Sequence, residues 1–317
     1  MGRIGKWRRL TARYRPERRL LMVIISLIGE QPIPNLLPLR YLKPKRAILV
    51  HTDRTKTVAG RLQRLLAPEI EVFLLHTDPY DINKIQEDLE KPLAGLERTE
   101  LAFNLTGGTK TMVMAAYEVA RNYGAPFFYL QSEGKSSVLY RYRFEGGEAR
   151  YEGKETLPGV LTIEDYLKAH LDDPYPQITG PRHTFEKVVG KALEGAVDEV
   201  VVGVTLAPAL EVDIVVRLEN RVGVIQAKTG NKARTKEGLD QLNAVCEQRY
   251  LGTYTHKILV VNQRWTRLTN LRKLAKDWRI KVIELPSFTD ATPYLSDEDQ
   301  KLLREQVKKV LRGEEDP

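Results

Sequence analysis

The chain has 317 residues, 42% of them hydrophobic, one cysteine (Cys246) and a formal net charge of +8. That length leaves room for two ordinary domains. A single cysteine excludes a disulfide framework within the chain and fits a reducing, cytoplasmic setting, and no run approaches 18 apolar residues, which excludes a membrane-spanning helix.

The first 21 residues hold eight basic groups against Glu17, so the other 296 residues carry a net charge of only +1. This opening segment lacks the apolar stretch of a signal peptide and reads as a basic extension. The first domain is expected at residues 22–145. Short buried strands are predicted at 21–27, 47–52, 71–76, 101–105 and 126–130, with helices at 58–66, 82–93 and 109–122. Strands alternating with helices in this way give a Rossmann-like parallel sheet, which binds ligands at the carboxyl ends of its strands.

The fourth strand runs into Asn104-Leu-Thr106-Gly107-Gly108-Thr109-Lys110-Thr111. The glycines let the backbone turn and approach a ligand, and the helix start offers free N–H groups to a phosphate. The segment has neither the Walker A nor the dinucleotide-binding spacing. Taken alone, it equally describes an ordinary strand-to-helix turn. Two more strand ends point to the same edge: Gly29-Glu-Gln31-Pro-Ile-Pro-Asn35 after the first, and His51-Thr52-Asp-Arg-Thr55-Lys-Thr after the second.

A connector is expected at residues 146–180. Residues 145–154 are polar and glycine-rich and read as a turn or linker. Residues 161–171 form a short amphipathic helix capped by Thr162. The second domain is expected from 181 to 317. Phe185, Val188, Val189, Ala192 and Leu193 give residues 184–194 a helical apolar stripe.

Residues 211–229, EVDIVVRLENRVGVIQAKT, read as a β-hairpin turning at Glu219-Asn220. Paired residues in such a hairpin have a constant sum of numbers, so Asp213 should face Gln226 and Glu211 should face Lys228. The strand period of two puts all four side chains on one face. The polar face of any half-solvated hairpin reads similarly. However, Val212, Ile214, Val216, Val222 and Val224 mark strands that cover a core, where an unpaired acid is costly. Residues 257–281 hold eight basic groups and one acid, with Trp265 and Trp278 interleaved. That run is either a solvated helix face or a phosphate-tracking surface. A helix capped at Ser296 closes the chain.

Asp213, twelve residues, then Gln226-x-Lys228 resembles the PD-(D/E)xK motif of the restriction-endonuclease-like superfamily, with Glu186 matching the helical glutamate that precedes it and Glu194 a weaker match. Gln226 departs from the usual acid, as in the Mrr-like branch. The strand end ILVHT, the loop GEQPIPN and NLTGGTK resemble the CARF domains, the CRISPR-associated Rossmann-fold sensors. Together the two resemblances cover nearly all of the chain beyond residue 21 and point to the single-CARF ancillary nucleases of type III CRISPR systems.

The resemblance implies an α/β fold with an N-terminal Rossmann-like CARF domain and a C-terminal restriction-endonuclease-like domain. It implies a homodimer that binds a cyclic oligoadenylate, in this family mostly cyclic tetra-adenylate, and then cleaves DNA, RNA or both. Glu186, Asp213 and Gln226 would hold Mg²⁺ or Mn²⁺, with Lys228 catalytic and Glu211 in support. Gln226 implies weaker metal binding and a preference for Mn²⁺. The activator would meet Gln31, Asn35, Thr52, Thr55, Thr106, Gly107, Gly108, Thr109 and Lys110. Two alternatives stand beside this reading. One is a nucleic-acid-binding regulator that does not cut. The other is a CARF domain that degrades its own cyclic ligand.

Overall fold

The computed structural model describes residues 22–96, 100–133, 136–252 and 254–314. The basic extension expected at residues 1–21 lies outside them. Among the described residues no helix is long and apolar enough to cross a membrane.

The first unit runs β1 (Val23–Leu27), α1 (Ile33–Leu42), β2 (Arg46–His51), α2 (Lys56–Leu66), β3 (Glu71–His76), α3 (Ile82–Glu90), β4 (Leu101–Asn104), α4 (Lys110–Tyr123), β5 (Phe127–Glu133), β6 (Ser136–Glu145) and β7 (Glu148–Leu157). Its seven-stranded sheet has the order β3-β2-β1-β4-β5-β6-β7. Pairing is parallel from β3 through β5 and antiparallel from β5 to β7. Every residue of β1 is buried, Ser26 among its four apolar residues included, as a strand with helices on both faces requires. Strand order reverses between β1 and β4, which opens a crevice at their carboxyl ends.

Two expectations for this unit change. Residues 33–35, expected in a loop, start α1, where Pro34 lies in the first turn and loses no helical hydrogen bond. Residues 148–157, expected in the connector, form β7. Gly146 (φ 58°) and Gly147 (φ 82°) supply the left-handed turn that returns the chain from β6. β7 is an almost fully exposed edge strand, so its residues carry no apolar alternation to betray it.

The second unit runs β8 (Gln177–Ile178), α6 (Thr184–Leu193), β9 (Glu199–Ala207), β10 (Leu210–Leu218), β11 (Arg221–Lys228), α7 (Glu237–Val245), β12 (His256–Val261), α8 (Thr269–Asp277), β13 (Ile280–Glu284) and α9 (Asp297–Arg312). The sheet order is β13-β12-β11-β10-β9-β8. β8 pairs with β9, so the second sheet begins inside the expected connector. One core packs Leu239, Leu242 and Ala275 against Val222, Val224 and Leu259. The other packs Phe185, Val189, Leu303 and Val307 against Ile214, Ile225 and Ile258. The sheet is therefore covered by α7 and α8 on one face and by α6 and α9 on the other.

Between the units lies α5 (Ile163–His170), capped by Thr162, whose side chain accepts the Asp165 N–H. Asp165 pairs with Arg40 of α1 at 2.7 Å. On the other side, the Tyr166 hydroxyl meets Thr255 Oγ1 at 2.9 Å and donates to the Leu251 carbonyl at 3.2 Å. At the hairpin tip, Asn220 accepts the Val160 N–H at 2.9 Å and donates to the Pro158 carbonyl at 2.7 Å. Neutral groups satisfied in this way pin the hairpin to the chain leaving the first sheet.

Candidate functional site

The β10–β11 ladder runs from Leu218↔Arg221 to Ile214↔Ile225, which is the register expected for a turn at Glu219-Asn220. It stops one step short of Asp213 and Gln226. Beyond that point side chains take over the pairing. Asp213 Oδ2 accepts the Ala227 N–H at 2.7 Å, and Gln226 Nε2 donates to the Glu211 carbonyl at 2.9 Å. The strand ends part, and the gap opens as a cleft of about 310 Å³ that Glu186, Glu211, Asp213, Gln226 and Lys228 all line.

Within the cleft, Lys228 Nζ donates to Gln226 Oε1 at 2.9 Å and sits 3.4 Å from Asp213 Oδ2. Glu186 is 4% exposed and enters from the first turn of α6. Its Oε2 accepts the backbone N–H groups of Arg182 (2.8 Å) and His183 (3.3 Å). A carboxylate in that position closes the free N–H groups of the helix start. One oxygen of each acid, Asp213 Oδ1 and Glu186 Oε1, remains outside these bonds. Glu211 lies farther out. It pairs with Arg182 and accepts from Thr205 Oγ1 at 3.2 Å, so the expected meeting with Lys228 gives way to contacts on the β9 side.

Burial is the main reason the Asp213 carboxyl titrates above the ordinary aspartate value. The Lys228 charge and the Ala227 N–H pull it back down, and the negative charge of Glu186 pushes it up again. Among the described residues no three His, Cys, Asp or Glu side chains converge as a metal site, so the donors present are two carboxylates and an amide.

The cleft also holds residues that the motif did not indicate: Arg182 and His183 on one side, and Lys232, Glu237 and Gln241 on the other. Glu237 and Gln241 stand four residues apart on α7, opposite its buried Leu239 and Leu242. Polar residues at that spacing, just after the strand bearing Lys228, were the available signal.

In the first unit, the loops after β1 and β4 meet over the crevice. A Cβ on Gly107 would overlap the Leu27 carbonyl oxygen, so the loop lies directly on the end of β1. Gly108 has φ +79°. Thr106 Oγ1 donates to Asn104 Oδ1 at 2.6 Å and accepts the Leu130 N–H at 2.9 Å, tying the loop to β5. Thr109 caps α4 by accepting the Met112 N–H at 3.1 Å and donates to the Pro79 carbonyl at 2.7 Å. Lys110 is exposed at the first turn. Thr52 and Thr55 are buried at the end of β2, where the Thr52 N–H donates to Thr55 Oγ1 at 3.1 Å.

Two expected ligand contacts face elsewhere. Asn35, 0% exposed, is turned inward by α1, accepts from Asn104 Nδ2 at 3.2 Å and lies beneath Gly107. It supports the loop from below. The Gln31 amide lies against Gly252 of the second unit.

The basic run also resolves in part. Trp265 is fully buried and donates to the Ala233 carbonyl at 2.7 Å, so it is a core post with no face to offer a base. Arg264, Arg267, Lys273, Lys276 and Arg279 are exposed around α8, while Arg272 is paired with Glu284.

Residues 23–166 match the family model described as the Card1 CARF domain. Over the whole fold the chain is similar to Can2 from Sulfobacillus thermosulfidooxidans, solved with cyclic tetra-adenylate (16% identity, TM-score 0.68, covering 93% of this chain and 99% of that one). It is similar to protein VC1899 from Vibrio cholerae (14%, 0.69, 92% and 99%). It also matches a type III CRISPR defence DNA nuclease activated by cyclic oligoadenylate (14%, 0.61, 91% of this chain and 51% of that one). No match was found among curated proteins. The chain thus joins a Rossmann-like CARF domain to a second α/β domain, in the two-domain fold it shares with these structures.

Proposed function

We propose that this protein is a cyclic-oligoadenylate-gated, metal-dependent nuclease of type III CRISPR antiviral defence. The observation that carries the reading is the meeting of Glu186 and Asp213 beside Lys228 where β10 and β11 part. Those residues fit a hard divalent cation. Each acid keeps one oxygen, Asp213 Oδ1 and Glu186 Oε1, outside the bonds described above, and Mg²⁺ or Mn²⁺ needs only one or two carboxylates when water fills its other positions. Glu186 and Asp213 would hold it, with the Gln226 carbonyl as a third donor.

Such a cation supplies Lewis acidity to a scissile phosphate and lowers the pKa of nearby water. The chain's own groups do the rest. The Ala227 N–H and Lys228 fix the Asp213 carboxylate, and α6 fixes Glu186 through the Arg182 and His183 N–H groups. The Lys228 ammonium, held by Asp213 and Gln226, lies where charge on a pentavalent phosphorus could be offset.

In the CARF domain, the open start of α4, Gly108 and Lys110 suit an anionic ring phosphate. A two-fold-symmetric ring fits a homodimer, because each half then meets the same residues. The activator would act by binding the cutting arrangement more tightly than the resting one.

The test is metal-dependent strand breakage by purified protein. Asp213→Ala and Lys228→Ala should each abolish it, and cleavage surviving both would place the chemistry elsewhere. One observation favours a second reading, a nucleic-acid-binding regulator that does not cut. Gln226 stands where an acid is usual, and its oxygen already accepts from Lys228. That reading predicts ring and nucleic-acid binding with no broken strands.

A further inference from the structure

The turn after β2 offers the crevice a different residue from the two threonines expected there. Thr52 and Thr55 close the turn on itself: both are buried, and the Thr52 N–H donates to Thr55 Oγ1 at 3.1 Å. Residues 53–55 form a single 3₁₀ turn. Arg54 stands between the two inward-facing threonines, and its own side chain is 80% exposed. A turn locked from the inside holds the base of that arginine in place.

The far end of Arg54 is held as well. Its Nε pairs with Glu30 Oε1, in the loop after β1. Glu30 follows Gly29, where a Cβ would lie 3.5 Å from Gly108 N and 3.7 Å from Gly107 Cα. The guanidinium is therefore paired with the residue next to the one packed on the Gly107-Gly108 backbone. The loops after β1, β2 and β4 come together at this point. Of the other charges nearby, Lys56 and Lys110 are exposed, while Asp53 meets His76 at 3.0 Å.

An exposed ion pair contributes little to a fold, so exchanging its acid for another anion is cheap. A phosphodiester offers two non-bridging oxygens, which match the planar fork of a guanidinium. On the sensor reading above, we propose that Arg54 is a phosphate-binding residue of the activator site and that Glu30 competes with the ring phosphate for it. A phosphodiester of the cyclic oligoadenylate takes the place of the Glu30 carboxylate on the guanidinium, and Glu30 returns to water. No covalent bond forms or breaks. Because carboxylate and phosphate compete for the same donors, the two residues act with opposite sign on ring affinity. Arg54 strengthens binding and Glu30 weakens it.

The experiment is isothermal titration with cyclic tri-, tetra- and hexa-adenylate at two ionic strengths. It compares wild type, Arg54→Ala, Arg54→Lys, Glu30→Gln and the double variant Glu30→Gln/Arg54→Ala, with thermal melting of each. Arg54→Ala is expected to weaken binding by about 10-fold or more and to flatten its salt dependence. Arg54→Lys, which keeps the charge and loses the fork, should recover part of the affinity. Glu30→Gln should tighten binding by up to about 5-fold, the worth of the exposed pair, and the gain should shrink when Arg54 is absent. Melting temperatures should stay near wild type. A pair that only shaped the loops would weaken binding in both single variants. Wild-type affinity in Arg54→Ala, or Glu30→Gln binding no tighter than wild type, would overturn the assignment while leaving the sensor reading in place. Wild type that binds none of the three rings would instead overturn the sensor reading itself.

Discussion

The side-chain amide of Gln31, in the loop after the first strand of the CARF domain, lies directly against the Cα of Gly252 in the second domain. Gly252 has φ +74°, and a Cβ there would press into the Gln31 amide. The loop bearing Gly252 follows α7, the helix that lines the cleft. On the gated-nuclease reading, this contact between a crevice loop and the segment leaving α7 would be a mechanical route between the two sites.

Gly252→Ala is therefore expected to raise the activator concentration needed for half-maximal cleavage. It should also lower the melting temperature by about 2–4 °C, the shift for roughly 1 kcal/mol of left-handed backbone strain in a chain of this size. Adding Gln31→Ala removes the overlap but not the strain, so the double variant should recover activation more than stability. A double-mutant cycle on the activation midpoint measures the coupling, and strict additivity would remove this contact from the gating route.

Asp213 gives a pH prediction. Its carboxyl holds a proton more tightly in the folded chain than an ordinary aspartate does. The folded state therefore binds more protons than the unfolded one between the ordinary and the raised pKa, and stability falls as pH rises through that window. A cation binds only the ionised form. Mn²⁺ should thus raise the melting temperature at neutral pH, and the increase should fade on acidification at a pH above the ordinary aspartate range. Asp213→Asn should abolish the increase. A Mn²⁺ effect of equal size in that variant would move the cation away from Asp213.

At the crevice, Gly107 and Lys110 are expected to fail differently. Gly107→Ala places a methyl group on the Leu27 carbonyl, so it should cost both stability and activator binding. Lys110 is exposed and its replacement by Ala should leave melting unchanged. Ring affinity should fall by about 10-fold or more, the worth of a charge-assisted hydrogen bond, with a weaker salt dependence. Isothermal titration with cyclic tetra-adenylate at two ionic strengths checks both.

Much of this was legible because it rests on constraints that sequence expresses locally. A two-residue turn fixes a constant sum, so the pairing Ile214↔Ile225 follows from Glu219-Asn220 alone. Strands buried on both faces, such as β1, announce themselves as nearly continuous apolar runs. The parting of the strands at Asp213 does not, because it depends on a side chain replacing a backbone acceptor. β7 was hidden because an exposed edge strand needs no apolar face. Asn35 looked like a loop donor until α1 turned it inward to Asn104. Trp265 stands in a basic run that read as surface, but its ring fills the core. Gln241 escaped notice because its place in the cleft depends on the close approach of α7 to Lys228 that Gly238 permits, a contact between elements that no local pattern records.

The most direct test of the account is one cleavage assay. Supercoiled plasmid, single-stranded DNA and single-stranded RNA are incubated with wild type or Asp213→Ala. Each is run with Mn²⁺ or Mg²⁺, and with cyclic tri-, tetra- or hexa-adenylate or no activator. The account predicts strand breakage that requires both a metal and one ring size, strongest with Mn²⁺, and that disappears in Asp213→Ala. Tight ring binding with every substrate intact in every lane would contradict it and leave a sensor whose second domain binds without cutting.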